Sequence, residues 1–416
     1  MTTTKNNEHK KLNVPNKQEQ NQTCWDSAER EGLRPKGNVP TLRFPEFQEE
    51  WDKCELGEFA TIIGGYAFKS ETLNSIGGKY QVVKMGNLYQ NQLDLHRSPS
   101  YTDTLTHKAE NVILQKDDIA ITLTGTNNKR DFGYTYIFND EKNLLLNQRC
   151  GLIRAKGNPY FLSCLLKTHT FLNQFFESAT GGTGNQANVS TKAMEMFSVN
   201  TPSLKEQEKI GQLMALLDER IATQNKIIDK LQSLIKGIRN DVYGKLRKSV
   251  GFNAMISDVL SYEQPQPYIV ENTEYTAEGI PVLTANKAFV LGYTSEINGI
   301  YDKGDCIIFD DFTLDCKYVD FPYKIKSSAI KILTAKNKEL LRYTFEFLKY
   351  LDLSTEEHKR HYIAETQNQE FILPTMHIVS TIAHTFSALS LRMESVVKQR
   401  NMFETQKQYL LRQMFI

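Results

Sequence analysis

The chain has 416 residues, of which 40% are hydrophobic and 24% charged, with a formal net charge of +1. This composition is typical of globular proteins, and the length leaves room for two or three domains. The near-zero charge argues against a uniformly basic nucleic-acid-binding protein, so any DNA binding would need a local positive field or a basic partner.

The first 40 residues are polar, rich in Asn, Gln and Lys, and nearly free of aliphatic side chains. Such a composition predicts a disordered lead at 1–40, and the lack of an apolar stretch argues against a secretory signal. The six cysteines form no CxxC pair. This argues against a zinc ribbon and favours a reduced, cytoplasmic setting. No apolar run approaches the roughly 20 residues that a membrane helix needs.

Two predicted globular domains follow, over 41–201 and 248–373. Short β-rich runs alternate in both with Gly, Asn and Asp turn signals, and each domain has one predicted helix, near 159–177 and 338–351. Residues 116–126 align with 303–313, so the two domains are similar. Because strands and helices do not alternate regularly, each domain is expected to have an α+β fold.

Each predicted domain precedes a long segment with an apolar stripe, over 202–247 and 374–416. The two segments match at a constant offset of 172 positions, with Pro202 opposite Pro374 and Leu217 opposite Leu389. Apolar residues recur at helical spacing in both segments. Neither stripe can remain in water, so the two helices are expected to pack together as an antiparallel coiled-coil spacer. The expected architecture is a pseudo-twofold internal repeat.

Three segments resemble catalytic motifs only faintly. Asn158–Phe161 resembles a methyltransferase motif but lacks its second proline, and the start of a helix is the preferred interpretation. Asp310 and Asp311 followed by Asp315 and Lys317 resemble a metal-nuclease core, yet a polar loop explains them better. The glycine-rich run at 181–184 lacks the lysine of a phosphate loop. The sequence therefore predicts no catalytic residue, no metal and no cofactor.

Recognition chemistry is better represented. A polar loop at 124–130 leaves a predicted strand and offers amides and hydroxyls for base edges and cations for phosphates. The DNA-binding candidates of the two domains are Lys69, Ser70, Lys84, Asn87, Thr124, Thr126, Asn127, Lys129 and Arg130, followed by Thr284, Asn286, Lys287, Lys317, Lys324, Lys326 and Arg360. The candidates for contacts between the helices and partner subunits are Ile210, Leu217, Ile221, Ile228, Leu231, Ile382, Leu389 and Phe403.

The chain resembles the specificity subunit of type I restriction–modification systems over about residues 40–416. The resemblance is carried by Pro40–Phe47, by Gly-x-x-Phe-Lys-Ser at 65–70, by Pro-x-x-x-Glu-Gln-x-x-Ile at 202–210, and by the degenerate second helix. It implies a non-catalytic protein with two target recognition domains, each of which reads one half of a split double-stranded DNA site. The helices would set the gap and dock two methyltransferase subunits, and restriction–translocase subunits would join the complex.

Two features depart from that pattern. One is the polar lead, and the other is the acidic second domain, where residues 251–373 contain twelve Lys and Arg against nineteen Asp and Glu. An alternative interpretation of the sequence is a non-catalytic coiled-coil scaffold with two protein-binding ends. The two interpretations differ in their response to DNA, because only a specificity subunit would protect a split sequence.

Overall fold

The computed structural model describes residues 37–126, 129–181, 186–285, 288–355 and 360–416. Most of the predicted polar lead therefore lies outside the described residues. The described residues divide into two compact units: the first unit comprises residues 37–225 together with 399–416, and the second unit comprises 226–398. Both divisions fall inside long helices, so each unit holds a globular part and a portion of each long helix.

The first unit contains short strands with short helices between them, and it ends in a long helix. Its strands are β1 (Asp52–Glu55), β2 (Ala60–Gly64), β3 (Tyr80–Val83), β4 (Leu88–Tyr89), β5 (Gln92–Leu93), β6 (Tyr101–Thr102), β7 (Ile119–Thr122), β8 (Thr124–Thr126), β9 (Thr135–Ile137), β10 (Leu144–Leu146), β11 (Cys150–Ala155), β12 (Thr180–Gly181), β13 (Gln186–Asn188) and β14 (Ser198–Thr201). Its helices are α1 (Leu56–Phe59), α2 (His107–Glu110), α3 (Pro159–Leu165), α4 (His169–Glu177), α5 (Thr191–Glu195) and the first part of α6 (Leu204–Ser249).

The second unit has fewer elements. Its strands are β15 (Ala254–Met255), β16 (Leu260–Glu263), β17 (Ile280–Leu283), β18 (Val290–Thr294), β19 (Cys306–Asp310), β20 (Cys316–Val319), β21 (Lys324–Ile325), β22 (Ile330–Ala335) and β23 (Glu370–Phe371). Its helices, besides the end of α6, are α7 (Ile256–Val259), α8 (Lys338–Leu351) and most of α9 (Met376–Gln413). Helices α6 and α9 begin and end within three residues of the predicted helical segments.

The two units repeat one sheet topology. Each has a four-stranded antiparallel sheet, in the order β2-β11-β7-β9 in the first unit and β16-β22-β19-β20 in the second. Each also has a three-stranded sheet with one parallel pair, β10-β3-β6 in the first unit and β18-β17-β21 in the second. A two-stranded ribbon pairs β1 with β14 and β15 with β23. The predicted α+β fold is confirmed.

The alignment of 116–126 with 303–313 is wrong by one residue. Thr122 pairs with Cys150, the first residue of β11, and Asp310 pairs with Ile330, the first residue of β22. Thr122 therefore corresponds to Asp310 and not to Phe309. All residues of β7 and β19 are buried, so these strands lack the alternation of polar and apolar residues that fixes a register in sequence.

The apolar stripes of the long helices are buried in the cores of the two units. In the first unit Ile210 and Met214 of α6 share a core with Met414 and Phe415, and the Phe415 ring stacks on Phe161 at a centroid distance of 5.2 Å. In the second unit the fully buried Tyr243 shares a core with the early residues of α9. Burial of one large apolar side chain contributes about 1.5–3 kcal/mol. The stripes therefore hold the helices to the globular parts.

Within the first unit α6 and α9 run antiparallel, as predicted. Phe161 lies close to Gly211 of α6 and to Phe415, and seven residues further along α6 Asp218 forms an ion pair with Lys407. Residue numbers therefore increase along α6 in the direction in which they decrease along α9. In the described part of the chain, no helix has both the length and the apolar character needed to cross a membrane.

Candidate nucleic-acid interface

Three turns of the first unit meet at one edge of its sheets. They are 84–87 after β3, 147–149 between β10 and β11, and 123–126 after β7, and together they are called the first rim. Because β3 and β10 are parallel, both strands end at this edge. Asn147 N–H donates to Val83 O at 3.0 Å, and Leu123 N–H donates to Arg149 O at 2.9 Å. These bonds join all three turns.

A cleft of about 370 Å³ opens in the first rim, lined by Met85, Thr124, Gly125, Thr126, Asp131 and Gln186. Gly125 is required here, since a Cβ atom at this position would lie 2.6 Å from the Phe132 ring. The pairing of β8 with β13 brings Gln186 opposite Thr126. The structure thus places the turn that contains the predicted Lys84 and Asn87 beside the first residues of the predicted 124–130 loop.

Several predicted DNA-binding side chains in this rim are engaged in hydrogen bonds of the fold. Asn87 is 2% exposed, and its Nδ2 donates to the carbonyls of Asp94 and Arg97. Lys84 Nζ donates to Ser98 O at 2.9 Å, and the buried Thr124 hydroxyl donates to Asn188 Oδ1 at 3.0 Å. These groups shape the turns through hydrogen bonds within the chain.

The predicted cations Lys69, Lys129 and Arg130 are exposed. Lys69, beside the exposed Ser70, forms only a solvent-exposed ion pair with Glu71 at 3.7 Å, which is worth little in water. Lys129 and Arg130 are exposed in the 129–131 turn, and the Arg130 guanidinium lies 5.0 Å from the centre of the Phe176 ring. Asn127, another candidate, lies outside the described residues.

The second unit builds an equivalent edge from equivalent turns, called the second rim. Lys326 N–H donates to Leu283 O at 3.1 Å, and Asp311 N–H donates to Ala329 O at 2.8 Å. These bonds correspond to the two that join the turns of the first rim. The buried Thr284 follows β17, and its N–H donates to Phe289 O at 3.0 Å. The predicted Asn286 and Lys287 lie outside the described residues.

The cations of the second unit differ in their availability. Lys324 is 3% exposed, and its Nζ lies 2.6 Å from both Asn298 O and the Glu296 carboxylate. It therefore belongs to the interior of the sheet in this structure. Lys326 and Arg360 are exposed, and Arg360 reaches Ser328 Oγ at 3.5 Å. Lys317 is partly exposed and lies 3.4 Å from Asp315.

The acidic residues that faintly resembled a nuclease core have structural partners. Asp310 accepts from the N–H groups of Phe312 and Thr313, and the buried Asp311 accepts from those of His361 and Tyr362. The Asp311 carboxylate also faces the buried Lys331 Nζ at 3.7 Å. Within the ranges that the structure describes, no cluster of His, Cys, Asp and Glu could hold a metal ion.

Asn158 also has a structural role. Its side chain accepts from Phe161 N–H at 2.9 Å and caps α3, as the helix-start interpretation predicts. The Cys150 thiol of β11 and the Cys306 thiol of β19 are poor nucleophiles at neutral pH. Burial raises the pKa of Cys150 to about 12 and that of Cys306 to about 12, so little reactive thiolate forms. Burial, with the nearby Tyr89 and Asp131, also raises the pKa of Tyr134.

The predicted partner-binding residues of the helices mostly face their own chain. Ile210, Leu217 and Ile382 are at most 9% exposed and belong to the two cores. Leu389 and Phe403 pack against those cores, and Ile221, Ile228 and Leu231 are half-buried. A different set of apolar side chains is more than half exposed on these helices: Leu204, Leu216, Leu234, Leu391, Met402 and Tyr409.

Sequence reasoning missed four rim residues. Gln148 and Arg149 are exposed in the turn between β10 and β11, and Asp131 and Gln186 line the cleft. The signal for the first two was the polar triplet 147–149 between the apolar runs of β10 and β11. Asp131 directly follows the predicted polar loop at 124–130. Gln186 follows a glycine-rich run, and no local pattern distinguishes it.

A family comparison covers the first rim. Residues 48–233 match the family model described as the type I restriction modification DNA specificity domain. This part of the chain is therefore similar to the DNA specificity domain of type I restriction–modification systems. The matched stretch includes all three turns of the first rim and the opening of α6. The second rim lies beyond it and is related to the first by topology.

Two curated relatives of the specificity family come from Escherichia coli. The specificity subunit of the type I restriction enzyme EcoR124I/EcoR124II is 43% identical over 126 residues, which are 29% of this chain and 31% of that protein. The EcoAI specificity subunit is 28% identical over 185 residues, which are 44% of this chain and 30% of that protein. The matched stretches thus span less than a third of either relative.

A solved structure shows the same fold. The crystal structure of a type I restriction–modification S subunit from M. genitalium superposes with a TM-score of 0.62 at 15% sequence identity. The superposition covers 91% of this chain and 99% of that chain. At this identity the likeness concerns the fold alone.

Proposed function

We propose that this chain is the DNA recognition subunit of a type I restriction–modification complex and catalyses no reaction itself. The observation that carries the proposal is the recurrence of the rim. Each unit joins three equivalent turns by equivalent backbone hydrogen bonds, and exposed cations lie on or near those turns. A protein with two similar polar edges is suited to reading two separate stretches of DNA.

In this proposal the predicted domains at 41–201 and 248–373 are target recognition domains, and each reads one half of a bipartite site. Side chains for base edges and phosphates come from the exposed residues of the rims, including Arg149 in the first and Lys326 in the second. The phosphate contacts fix the position on the duplex, and the contacts with base edges carry the sequence preference. The expected ligand is double-stranded DNA.

The helices α6 and α9 are proposed to set the gap between the half-sites and to dock two methyltransferase subunits, with restriction–translocase subunits completing the complex. The half-exposed apolar side chains, among them Leu216 and Leu391, supply a surface for those partners. Exposed apolar side chains that form a contiguous patch are typical of protein interaction sites, so the proposal requires these side chains to be covered by the partners.

Partners are also expected to strengthen DNA binding. The second globular part is acidic, and the whole chain has a net charge of +1, so its own field attracts a polyanion only weakly. Binding to duplex DNA in physiological salt is therefore expected to be weak for the isolated chain and to tighten when methyltransferase subunits are added. Tight sequence-specific binding by the pure chain would contradict this expectation.

Methylome sequencing tests the function directly. Strains with and without the gene are compared, and the proposal requires one bipartite motif that is methylated only when the chain is present. A footprint of the purified complex with its methyltransferase subunits must then protect both halves of that motif. An unchanged methylome together with indifference to DNA would favour a coiled-coil scaffold with two protein-binding ends.

A further inference from the structure

We infer that the cleft of the first rim reads a base with an exocyclic amino group, adenine or cytosine, and that the Asp131 carboxylate is the group that selects it. The inference rests on the proposed function, because it requires that the rim face DNA. It adds the chemical class of the base and the residue that recognises it.

Two hydrogen bonds hold the Asp131 carboxylate in the cleft. Its Oδ1 accepts from Thr126 N–H at 2.6 Å, and its Oδ2 accepts from the Thr126 hydroxyl at 3.1 Å. Thr126 is the last residue of β8, which pairs with β13, so the carboxylate is attached to a sheet. Asp131 is half-buried, and its carboxylate has no ion pair with Lys129, Arg130 or another cation among the described residues.

An acid in this position is unexpected for simple phosphate binding. A carboxylate repels phosphate oxygens, and the nearby Arg130 does not neutralise it, since its guanidinium lies over Phe176. Each oxygen of Asp131 makes one bond within the protein and retains a lone pair for another donor. The carboxylate is therefore available to a hydrogen-bond donor that enters the cleft.

In the DNA major groove only two bases present such a donor: adenine through N6 and cytosine through N4. Guanine O6 and thymine O4 are acceptors, and an acceptor-only carboxylate disfavours them. The exposed Gln186 amide, which both donates and accepts, lines the same cleft beside the apolar Met85. The cleft thus distinguishes an amino group from a carbonyl group at one base pair.

The substitution Asp131→Asn tests this selection in the complete complex with methyltransferase subunits. The amide keeps an oxygen for Thr126 N–H and adds a donor, so bases with O6 or O4 become acceptable. At one position of one half-site, the preference for a base with an exocyclic amino group over a base with a carbonyl group is expected to fall by about 5- to 150-fold. The salt dependence of binding stays the same, because no phosphate contact is lost. The matched control is Asp140→Asn, an exposed carboxylate of the same unit that does not line the cleft.

A second measurement uses the unaltered protein, so it does not depend on the folding of a variant. Each adenine of the target is replaced by purine, and each cytosine by 2-pyrimidinone, which lack the amino group. The wild-type complex is expected to lose affinity at the position that Asp131→Asn relaxes, and the responding analogue identifies the base as adenine or cytosine. The Asp131→Asn complex should lose less affinity with the same analogue.

The outcomes separate the two proposals. If Asp131→Asn weakens all sequences equally, or if no position responds to both the substitution and the analogue, the role of Asp131 is wrong and the recognition function stands. If the complex shows no bipartite preference at all, the proposed function itself fails.

Discussion

Glu206 and Glu346 are buried acids that bind arginines, and each joins α6 to a globular part. Glu206 of α6 receives two bonds of 2.7 Å from Arg43, whose pKa is raised by this hydrogen bond. Glu346 of α8 receives bonds from Arg239 of α6 at 2.7 and 2.9 Å and from Arg342 at 2.8 Å. Both acids are 1% exposed. Buried pairs of this kind fix an orientation more than they add stability.

Removal of the charge at Glu346 is therefore expected to lower the stability of the second unit. Glu346→Gln leaves the Arg239 and Arg342 guanidinium groups buried without a counter-charge, and the second unit should lose about 3–5 kcal/mol of stability. Urea unfolding followed by circular dichroism measures the loss. The control is Asp241→Asn, whose ion pair with Lys245 is largely exposed and should change stability by less than about 1 kcal/mol. Equal effects of the two substitutions would contradict the role of Glu346.

Arg149 offers a test of the first rim. It is exposed, and its carbonyl anchors Leu123 while its side chain has no ion pair among the described residues. If the guanidinium contacts a phosphate, Arg149→Ala weakens all sequences alike and lowers the salt slope by about 1; if it contacts a base, it costs about 1–3 kcal/mol at one position. Lys53→Ala, on β1, is the control. Unchanged DNA binding by the Arg149→Ala complex would remove this turn from the interface.

The sequence predicts the availability of single side chains poorly. Lys324 was predicted to contact DNA as part of the basic content of the second domain, yet Glu296 and a backbone carbonyl compensate its charge inside the sheet. Asn87 was predicted to contact DNA and instead bonds the backbone of Lys84, Asp94 and Arg97. These partners are set by the way the chain folds back on itself, so no local sequence pattern reveals them.

At the scale of elements, periodicity predicts the long helices well and the strands less well. The apolar stripes of α6 and α9 repeat at helical spacing over many turns, which leaves little choice of face or length. The short strands β7 and β19 are buried on both faces, so their sequences alternate too weakly to set a register. This is why the alignment of the two copies slipped by one residue.

The proposed ruler function of the helices gives a prediction at this scale. A seven-residue insertion in both α6 and α9, near Asn225 and Lys398, keeps the apolar stripes in phase and adds about 10 Å at 1.5 Å per residue. The gap between half-sites should grow by about three base pairs at roughly 3.4 Å each, with the half-sites unchanged. Methylome motifs report both quantities.

A control insertion of the same seven residues in the exposed loop around Ile76 should leave the gap unchanged. A changed base preference with an unchanged gap in the helix variant would contradict the proposal that the helices set the gap.

At the scale of the whole molecule, the internal repeat was visible in the sequence because two long helices share one offset. The rims were not visible as units, because each one assembles turns from three separate places in the chain. Backbone hydrogen bonds and the parallel β3–β10 and β17–β21 pairs bring those turns together. A rim is therefore a property of topology, and its repetition in two units follows from the repeated topology.

This repetition predicts that specificity is modular. The turns of the first rim come from 84–149 and those of the second from 284–329, so no turn is shared between them. Contributions from separate sites without shared partners usually add. Exchange of residues 248–373 for the matching domain of a relative should therefore change one half-site of the methylated motif and leave the other half-site intact.

The converse exchange, of residues 41–201, should change only the opposite half-site, and the gap should persist in both chimaeras because α6 and α9 are retained. The exchanged segment 248–373 must keep a carboxylate at the position of Glu346 to pair with Arg239 of the retained α6, and the exchanged segment 41–201 must keep an arginine at the position of Arg43 to pair with Glu206. A chimaera that loses either buried pair would lose stability, and its loss of function would then say nothing about sequence recognition. If either chimaera alters both half-sites while it still folds and methylates DNA, the two units do not read independently, and the model of two separate readers is wrong.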